Sequence, residues 1–338
     1  MTEIKLSVVI PTRNRPEAIE RLLRDLVQQS LSASAFEVIV VDDGSSPALQ
    51  FADLETDLPY ALRVLRREND HGAHQSRSHG VKAALGQRVM HLDDDVTLLP
   101  EVLRQHAETM DDFAVGPILY HPDSTPSPYI RYQTKFYEGC VAWLLEGPRR
   151  ISAEHLYICN SSGPRLAFGQ VMEAVCELMG AMAVPGEGFD ECLIEIELKR
   201  HGYHLQILES ALIYHIDTKT LDEARQGHWR NGMTACRMFL EAPHLREVLN
   251  EYMPIADILI GAGNPKRRMK ARLIWRAPWL IRTISGVLTY LADHGPQKLL
   301  PARICYLPLA TAFWQGVRSV EPDFRKLEAR LSGQGTGG

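Results

Sequence analysis

Three consecutive carboxylates, Asp93, Asp94 and Asp95, follow an apolar run in this chain. Like charges held together repel one another, so a folded protein keeps such a cluster only where cations, hydrogen bonds or solvent compensate it. Carboxylate oxygens are the ligands that Mg²⁺ and Mn²⁺ prefer, and these ions often share them with the phosphates of a substrate. The cluster therefore predicts a site for a divalent cation and a phosphorylated ligand. A solvated turn, or the N-terminal cap of a helix after Pro100, explains three Asp equally well.

The spacing within the cluster predicts a division of roles. Side chains alternate between the two faces of an extended segment, so Asp93 and Asp95 are expected on one face and Asp94 on the other. Asp93 and Asp95 would then seat the cation, while Asp94 would point away and be structural.

The segments that must position these residues alternate between strands and helices. Apolar, β-rich runs predict buried strands at Leu6–Ile10, Phe36–Val41, Leu62–Leu65 and Gln87–Leu92. Helical periodicity follows Pro16 and recurs over Ser76–Leu85. This alternation is typical of an α/β protein with a doubly wound, mainly parallel sheet.

Polar clusters follow three of the predicted strands: Thr12-Arg13-Asn14, Asp42-Asp43 and Asp93 to Asp95. In open α/β sheets, ligands bind beyond the carboxyl ends of the strands. The three clusters are therefore expected to converge on one ligand-binding edge of the sheet.

Further segments are expected to complete the domain. The stretch from His121 to Tyr137, rich in proline and aromatic residues, is interpreted as a mobile loop over the site. Gly180–Val184 and Ala211–His215 are expected to be strands. Phe189–His201 is expected to be a short acidic helix that stops at Gly202.

The composition is that of an ordinary globular protein. Of the 338 residues, 45% are apolar and 23% are charged, and the formal net charge of −5 excludes no class of partner. The six cysteines contain no Cys-x-x-Cys pair, which argues for a reducing compartment and against a zinc ribbon or a disulfide framework. No apolar run reaches the ~18 residues of a membrane span, and the start is unlike a signal peptide, so a cytoplasmic location is expected.

Taken together, these motifs resemble those of the inverting glycosyltransferases of family 2, which have the nucleotide-sugar-binding fold called GT-A. The resemblance covers residues 5–217, and the ordered set is more specific than any single motif. The matching stretches are SVVIPTRNRP (Ser7–Pro16), VVDDGSS (Val40–Ser46), Gly72-Ala73 with Arg77 and Gly80, HLDDD (His91–Asp95) and GFDE (Gly188–Glu191).

The resemblance implies a Rossmann-like GT-A fold and a set of site residues. Asp95 would bind an Mn²⁺ or Mg²⁺ ion that bridges two phosphates, with Asp93 beside it and His215 as a further metal ligand. For His215, a capped strand end is the alternative. The donor, a UDP-, GDP- or dTDP-sugar, would be bound by residues near the sheet edge: Pro11, Thr12, Arg13, Asp42, Asp43, Arg77, Asp93 and Asp94.

The resemblance also implies direct displacement with inversion, in which a carboxylate takes the proton of the acceptor hydroxyl. The family's Glu-Asp-x-Asp/Glu-Leu stretch corresponds to residues 194–198 (IEIEL), so Glu195 is the expected base. Glu191 lies one helical turn earlier on the same face and is the reserve. A solvated acidic helix is the alternative. Ile194 in place of an acid, and Ser78 in place of the usual Asn, leave an impaired enzyme or an unusual acceptor open.

Trp229 and Arg230 lie in the stretch GHWRNG, residues 227–232. An aromatic ring beside Arg and Asn is suited to stack on a sugar and contact phosphate, so both are counted among the nucleotide-sugar-binding candidates. A helix N-terminus packed by Trp229 is the alternative.

The C-terminal part of the chain is basic and amphipathic. From Ile258 to Val320 the only acid is Asp293, and residues 266–282 hold seven basic residues and two tryptophans. Such a segment suits an anionic membrane surface, which predicts a peripheral contact at the inner face of the membrane. No nucleic-acid motif accompanies it, so no nucleic-acid partner is expected. An ordinary basic helix pair is the alternative.

Three regions are expected along the chain. A GT-A glycosyltransferase domain would occupy residues 1–255, a basic helical region residues 256–330, and a disordered tail residues 331–338.

Two other functions fit parts of the sequence. A nucleotidyltransferase on a related sheet would need a Gly-rich phosphate loop after the first strand, and Pro11 to Pro16 contains no Gly. A non-catalytic nucleotide-sugar-binding protein is consistent with Ile194 in the acid motif. The acceptor is not identified by the sequence.

Overall fold

The computed structural model describes residues 3–51, 57–110, 112–124, 127–146, 158–181, 190–216, 218–242, 245, 265–276 and 278–331. The chain divides into two compact units. The first comprises Met1–Asp123, Phe136–Leu178 and Asp190–Asp217, and the second comprises Ser124–Lys135, Met179–Phe189 and Thr218–Gly338. The domain boundary predicted at residue 255 lies outside the described residues, as does the predicted tail apart from Leu331.

The first unit is built on a seven-stranded sheet and a smaller three-stranded sheet. Their strands are β1 (Leu6–Thr12), β2 (Phe36–Asp43), β3 (Ala61–Arg67), β4 (Arg88–Leu92), β5 (Val96–Leu98), β6 (Phe113–Val115), β7 (Ile118–Tyr120), β8 (Asn160–Pro164), β9 (Leu205–Ile207) and β10 (Ile213–His215). The large sheet has the order β3-β2-β1-β4-β8-β6-β9, with β8 antiparallel to its neighbours and the other pairs parallel. This mainly parallel α/β arrangement confirms the predicted fold class.

The three central strands bring their carboxyl ends to one level. Every residue of β1, β2 and β4 is buried, which is why these strands are nearly continuous apolar runs. In the register, Thr12 lies opposite Asp42, and Val9 lies opposite both Ile39 and His91. The polar residues that follow the three strands therefore meet at the same edge, as predicted.

The three-stranded sheet begins directly after the Asp cluster. β10 occupies its centre, antiparallel to β5 and parallel to β7. His215 lies opposite Val96, and the amide of Ile216 donates a hydrogen bond to the carbonyl oxygen of Asp95 at 2.7 Å. The predicted late strand is thus present, and it delivers His215 to Asp95.

Helices flank or connect these strands: α1 (Pro16–Leu26), α2 (Ala73–Ala83), α3 (Val102–Glu108), α4 (Pro128–Glu146), α5 (Arg165–Ala181) and α6 (Asp190–Arg200). The apolar positions of α1 that repeat at helical spacing, such as Ile19 and Leu23, are buried. Helix α2 packs closely on β1 because of Gly80, where an added Cβ would lie 2.4 Å from Val9 Cγ1. The acidic helix predicted at residues 189–201 is confirmed as α6.

Two predictions about elements are wrong. The predicted loop from His121 to Tyr137 is largely helical, because α4 begins at Pro128. The hydroxyl of Ser127 accepts a hydrogen bond from the amide of Ile130 at 3.1 Å, so Ser-Pro here starts a helix. Gly180 belongs to the end of α5 instead of a strand, and the remainder of that predicted strand, residues 182–184, lies outside the described residues.

The second unit is helical where it is described: α7 (Leu221–Glu241), α8 (Pro265–Arg276), α9 (Pro278–His294), α10 (Tyr306–Val320) and α11 (Phe324–Leu331). Helix α7 starts with a capping box formed by Thr220 and Glu223. It packs tightly on α10, since a Cβ added at Gly232 would lie 1.9 Å from the carbonyl oxygen of Phe313. Across the described residues, no helix is both long and apolar enough to cross a membrane.

Candidate active site

The carboxyl ends of β1 and β4 lie at the same height in the sheet, which brings Thr12 next to the Asp cluster. The hydroxyl of Thr12 donates to Asp94 Oδ2 at 2.7 Å, and both side chains are buried. Because β4 ends at Leu92, the following residues leave the sheet at the height of Thr12. The end of β1 and the Asp cluster are therefore parts of one site.

Arg15 links the second and third carboxylates of the cluster. Its Nη1 donates to Asp94 Oδ1 at 2.9 Å and to Asp95 Oδ2 at 2.8 Å. The prediction that Asp94 points away from Asp95 is therefore wrong, because strand alternation does not extend past Leu92. Burial and the charge of Asp95 raise the pKa of Asp94, and Arg15 and Thr12 oppose this shift.

Asp93 has a different cationic partner, Arg77. The guanidinium Nη2 of Arg77 donates to Asp93 Oδ1 at 2.6 Å. Arg77 is buried, whereas the Asp93 side chain is 31% exposed. The close approach of α2 to β1 at Gly80 sets Arg77, one turn earlier, over the strand end. Arg77 thus lies at the predicted edge and neutralises Asp93.

Asp95 and His215 face each other across the junction of the two sheets. His215 Nε2 lies 3.2 Å from Asp95 Oδ1, and the rings of Tyr120 and Tyr137 flank the imidazole at centroid distances of 5.5 and 6.5 Å. Neighbouring ligands of an octahedral ion with bonds of about 2.1 Å lie about 3 Å apart, so the Asp95–His215 pair fits two adjacent positions of Mg²⁺ or Mn²⁺.

Asp93, the other predicted metal ligand, is not brought to this pair. Its carboxylate is engaged by Arg77, and no group of three or more His, Cys, Asp or Glu side chains suited to a metal occurs among the described residues. A cation here would have two protein ligands and take its other ligands from phosphate and water, which is the usual mode for Mg²⁺.

Asp42 and Asp43 hold the backbone of the loops at the sheet edge. Asp42 accepts hydrogen bonds from the amides of Ser45 and Leu49 and from Arg66. Burial opposes ionisation of Asp42, but these hydrogen bonds outweigh it and lower its pKa. Asp43 accepts hydrogen bonds from the amides of residues 71 and 72. Both carboxylates are therefore committed to loop structure, and their contact with a nucleoside stays a prediction.

Pro11 and Arg13 flank Thr12 at the same edge. Pro11 is a buried residue of β1. Arg13 is half-exposed and pairs with Asp70. Their predicted contacts with a donor also stay predictions.

The acids of α6 differ in their surroundings. Glu195 is buried, and its Oε1 lies 2.9 Å from Lys199 Nζ. Glu191 is only partly buried. Burial is the main cause that raises the pKa of the Cys159 thiol, and the charges of Asp93, Asp95 and Glu191 add to it. Glu191 is therefore close enough for its charge to act on the same buried thiol as two acids of the cluster.

Trp229 and Arg230 lie in the second unit, midway along α7. The helix N-terminus is nine residues earlier, at the Thr220 cap, so the alternative of a helix start packed by Trp229 is wrong. Both residues line an open cleft of about 390 Å³ in which Trp229 is 37% exposed. The rest of the lining is Asp222, Arg225, Gln226, Ala312 and Gln315.

Several site residues escaped the sequence analysis. Arg15 lies within the motif SVVIPTRNRP, and its proximity to the Asp cluster depends on a side-chain path that spacing does not reveal. Tyr137 lies in the aromatic-rich stretch that was predicted to be a loop, and Tyr120 lies directly before it. The signal that could have found them is the aromatic enrichment of that stretch.

The large mainly parallel sheet, with its polar carboxyl edge and attached small sheet, defines a GT-A fold. A mannosyltransferase from Pyrobaculum calidifontis, solved with GDP-Man and Mn²⁺, matches this fold with a TM-score of 0.53 at 15% identity, covering 96% of this chain and 89% of that one. The family model of glycosyl transferase family 2 matches residues 7–160. This part of the chain belongs to that family.

Curated relatives match over part of the chain. An uncharacterized glycosyltransferase of Haemophilus influenzae is 29% identical over 171 residues, which are 49% of this chain and 53% of that protein. A dolichol-phosphate mannosyltransferase of Pyrococcus furiosus is 31% identical over 116 residues, which are 33% of each chain. The match thus spans about half or less of each relative's length.

Proposed function

We propose that the protein is a metal-dependent, inverting glycosyltransferase that takes a sugar from a nucleoside-diphosphate donor. The observation that carries the proposal is the Asp95–His215 pair at the sheet edge, 3.2 Å apart, with the guanidinium group of Arg15 on Asp95 and that of Arg77 on Asp93. A diphosphate brings negative charge, and a site that combines metal ligands with guanidinium groups is suited to receive it. Membership of residues 7–160 in glycosyl transferase family 2 supports the same reaction class.

Asp95 and His215 would hold Mn²⁺ or Mg²⁺. When bound, the ion supplies electrostatic stabilisation of the diphosphate leaving group. Arg15 at present compensates Asp94 and Asp95 together, and Arg77 compensates Asp93. We infer that both guanidinium groups orient phosphate oxygens when the donor is bound.

The nucleoside would lie against the loops that follow β1 and β2. These loops are joined because the amide of Asn14 donates to Ser45 Oγ and the amide of Ser46 donates to Asn14 Oδ1, each at 2.8 Å. Such cross-links hold the loop backbone in place before a ligand arrives, which lowers the cost of ordering on binding. Pro11, Thr12, Arg13, Asp42, Asp43 and Asp94 are the proposed contacts or supports.

Glu191 is the proposed base. Its charge acts on the same buried thiol as Asp93 and Asp95, whereas Glu195 is buried against Lys199. A base needs access to the acceptor hydroxyl, and an ion-paired, buried carboxylate lacks it. This reverses the preference for Glu195 that the sequence motif indicated.

The cleft that contains Trp229 would contact saccharide. An exposed indole ring stacks on the apolar face of a sugar, while Gln, Arg and Asp side chains bond its hydroxyl groups. Arg225 and Gln315 each have a buried side-chain nitrogen for which the described residues provide no hydrogen-bond partner. Such donors favour a ligand rich in acceptor oxygens.

The proposal is tested by adding UDP-glucose, UDP-N-acetylglucosamine, GDP-mannose and dTDP-glucose to the full chain, with and without Mn²⁺. We expect one donor to raise the melting temperature only with Mn²⁺ and to release its nucleoside diphosphate slowly in water. The Asp95→Ala variant should lose both effects. Binding without release, across a broad acceptor panel, would instead identify a non-catalytic binding protein, and pyrophosphate release from a nucleoside triphosphate would identify a nucleotidyltransferase.

A further inference from the structure

Most of the large apolar residues of helix α9 are exposed, and three of its four buried residues are small or polar. The buried residues are Ile281, Ser285, Thr289 and Ala292, and Ser285 Oγ donates to Thr311 Oγ1 of α10 at 3.0 Å. A helix on a water-facing surface is expected to show the opposite distribution, with its large apolar side chains toward the core. The sequence of α9 is therefore adapted to a non-aqueous environment on its outer face.

The outer face of α9 is a continuous apolar stripe. Leu280, Ile284, Val287 and Leu291 repeat at helical spacing along it, and Trp279 and Tyr290 lie along one edge three turns apart. These side chains are between 37% exposed, at Leu291, and 72% exposed, at Trp279. Contiguous exposed apolar area of this kind marks a binding surface.

Charge around the stripe is positive. Arg276, Arg282, Lys298 and Arg303 are exposed before, beside and after the helix. Asp293, the only acid between residues 258 and 320, accepts hydrogen bonds from the amides of Leu221 and Asp222 at 2.7 and 3.1 Å. It thus caps α7 and adds no negative charge to the outer face of α9.

We propose that this face of α9 and its flanking basic residues bind the interface of an anionic lipid bilayer. Aliphatic side chains would enter the boundary between headgroups and acyl chains to a depth of about 5–10 Å. Trp and Tyr favour that boundary, and Arg and Lys favour anionic headgroups. The surface is centred on residues 279–291, which overlap the predicted segment 266–282 only at its C-terminal end. It is independent of the donor chemistry proposed above.

A second copy of the chain is the competing occupant. A twofold contact would place the same basic residues of the two copies against each other, because such an interface pairs a surface with itself. Repulsion between Arg276, Arg282 and their counterparts would oppose that contact, whereas anionic lipid attracts them. Charge complementarity therefore favours the bilayer.

The test is co-sedimentation of the full chain with vesicles of phosphatidylcholine, with or without about 20% phosphatidylglycerol. The protein should bind the anionic vesicles and be released by salt. The Val287→Glu variant should lower the bound fraction at least about tenfold, since it buries a charge in an apolar boundary. Met110→Glu is the matched control, because Met110 is 97% exposed in the first unit.

Further measurements separate folding and self-association from lipid binding. Val287→Glu should retain the wild-type melting temperature, and Trp279→Phe should remove the fluorescence blue shift that vesicles induce. Wild-type protein that ignores both vesicle types, or Val287→Glu protein that binds like wild type, would refute the proposal. A dimer in analytical ultracentrifugation that Val287→Glu dissociates would also refute it and assign the stripe to a copy interface.

Discussion

His215 Nε2 lies 3.2 Å from Asp95 Oδ1, although His215 ends β10 and Asp95 lies in the turn before β5, far away in the chain. We predict that His215→Ala weakens Mn²⁺ binding in the presence of UDP or GDP at least about tenfold, because it removes one of the two proposed protein ligands. Isothermal titration calorimetry measures this loss. His121→Ala is the control, since His121 is a nearby histidine that pairs with Asp123. Equal Mn²⁺ affinity in both variants would contradict the metal assignment.

Glu191 and Glu195 give opposite predictions for the same conservative change. Glu191→Gln should reduce sugar transfer about 100-fold or more, because it removes the proposed proton acceptor, while donor binding is retained. Glu195→Gln should keep most of the activity and lose stability, because it breaks the pair with Lys199. Turnover assays beside melting curves distinguish the two effects. Loss of turnover only in Glu195→Gln would restore the motif-based assignment.

Replacing Arg15 should change both the stability of the fold and the effect of a cation on it. Arg15→Gln leaves Asp94 and Asp95 without their shared guanidinium group. The free energy of unfolding should fall by about 1 kcal/mol, because solvent weakens the ion pairs of a partly exposed arginine. Mn²⁺ should then raise the melting temperature of the variant more than that of wild type. Arg24→Gln, which breaks only the exposed pair with Glu20, should change stability by less than about 0.5 kcal/mol. An Arg15→Gln variant as stable as Arg24→Gln would count against the compensating role.

The burial of His106 leads us to predict that the protein loses stability in acid. It is fully buried, bonded to Ser162 and Asn160, and burial lowers its pKa to about 4. The unfolded chain binds a proton at this residue below about pH 6.5 and the folded chain does not, so stability falls as the pH decreases from about 6.5 to 4. Over this pH range the free energy of unfolding should fall by roughly 3 kcal/mol through His106, because each unit of pKa difference corresponds to about 1.4 kcal/mol.

Urea unfolding between pH 7 and pH 4 checks the His106 prediction. His106→Gln should reduce the slope of stability against pH. It should not abolish the slope, because burial also lowers the pKa of His91 far below its ordinary value. A variant with the wild-type slope would show that His106 does not carry the effect.

Two glycines of α7 form a matched pair. Gly232→Ala should destabilise the second unit by about 1–3 kcal/mol, because its Cβ would lie 1.9 Å from the carbonyl oxygen of Phe313. Gly227→Ala meets open space and should be neutral or stabilise the helix by up to about 1 kcal/mol. Chemical unfolding of both variants measures the difference. Equal effects would mean that α7 and α10 do not pack as closely as described.

The sequence predicted the parts of the site that follow from local periodicity. Buried parallel strands are recognisable as apolar runs, and the position of ligands at their carboxyl ends follows from topology, so the cluster that contains Thr12 was found. Arg77 and His215 were indicated by the resemblance to family 2. The contact of Arg15 with two carboxylates was missed, because the path of a long side chain in a loop has no sequence period. The direction of Asp94 was wrong because the two-residue alternation ends with β4 at Leu92.

The helix at Pro128 was missed for a different reason. Proline and aromatic residues between His121 and Tyr137 are typical of loops, but proline is also favoured in the first turn of a helix. The deciding signal was Ser127, directly before Pro128, because the hydroxyl of Ser127 caps the first turn. Composition alone does not separate the two cases, whereas the order of the two residues does.

The small sheet can form only late in synthesis of the chain, because of the order of its strands. Its central strand, β10, is the last of the three to leave the ribosome, although it lies between β5 and β7. Asn160 Nδ2 reaches the carbonyl of Ala211, 51 residues later, at 2.8 Å, so its partner is also synthesised late. A nascent chain therefore carries Asp95 without His215 until this strand inserts, and a delay at that step would leave a folded sheet edge that has only one of the two proposed cation ligands.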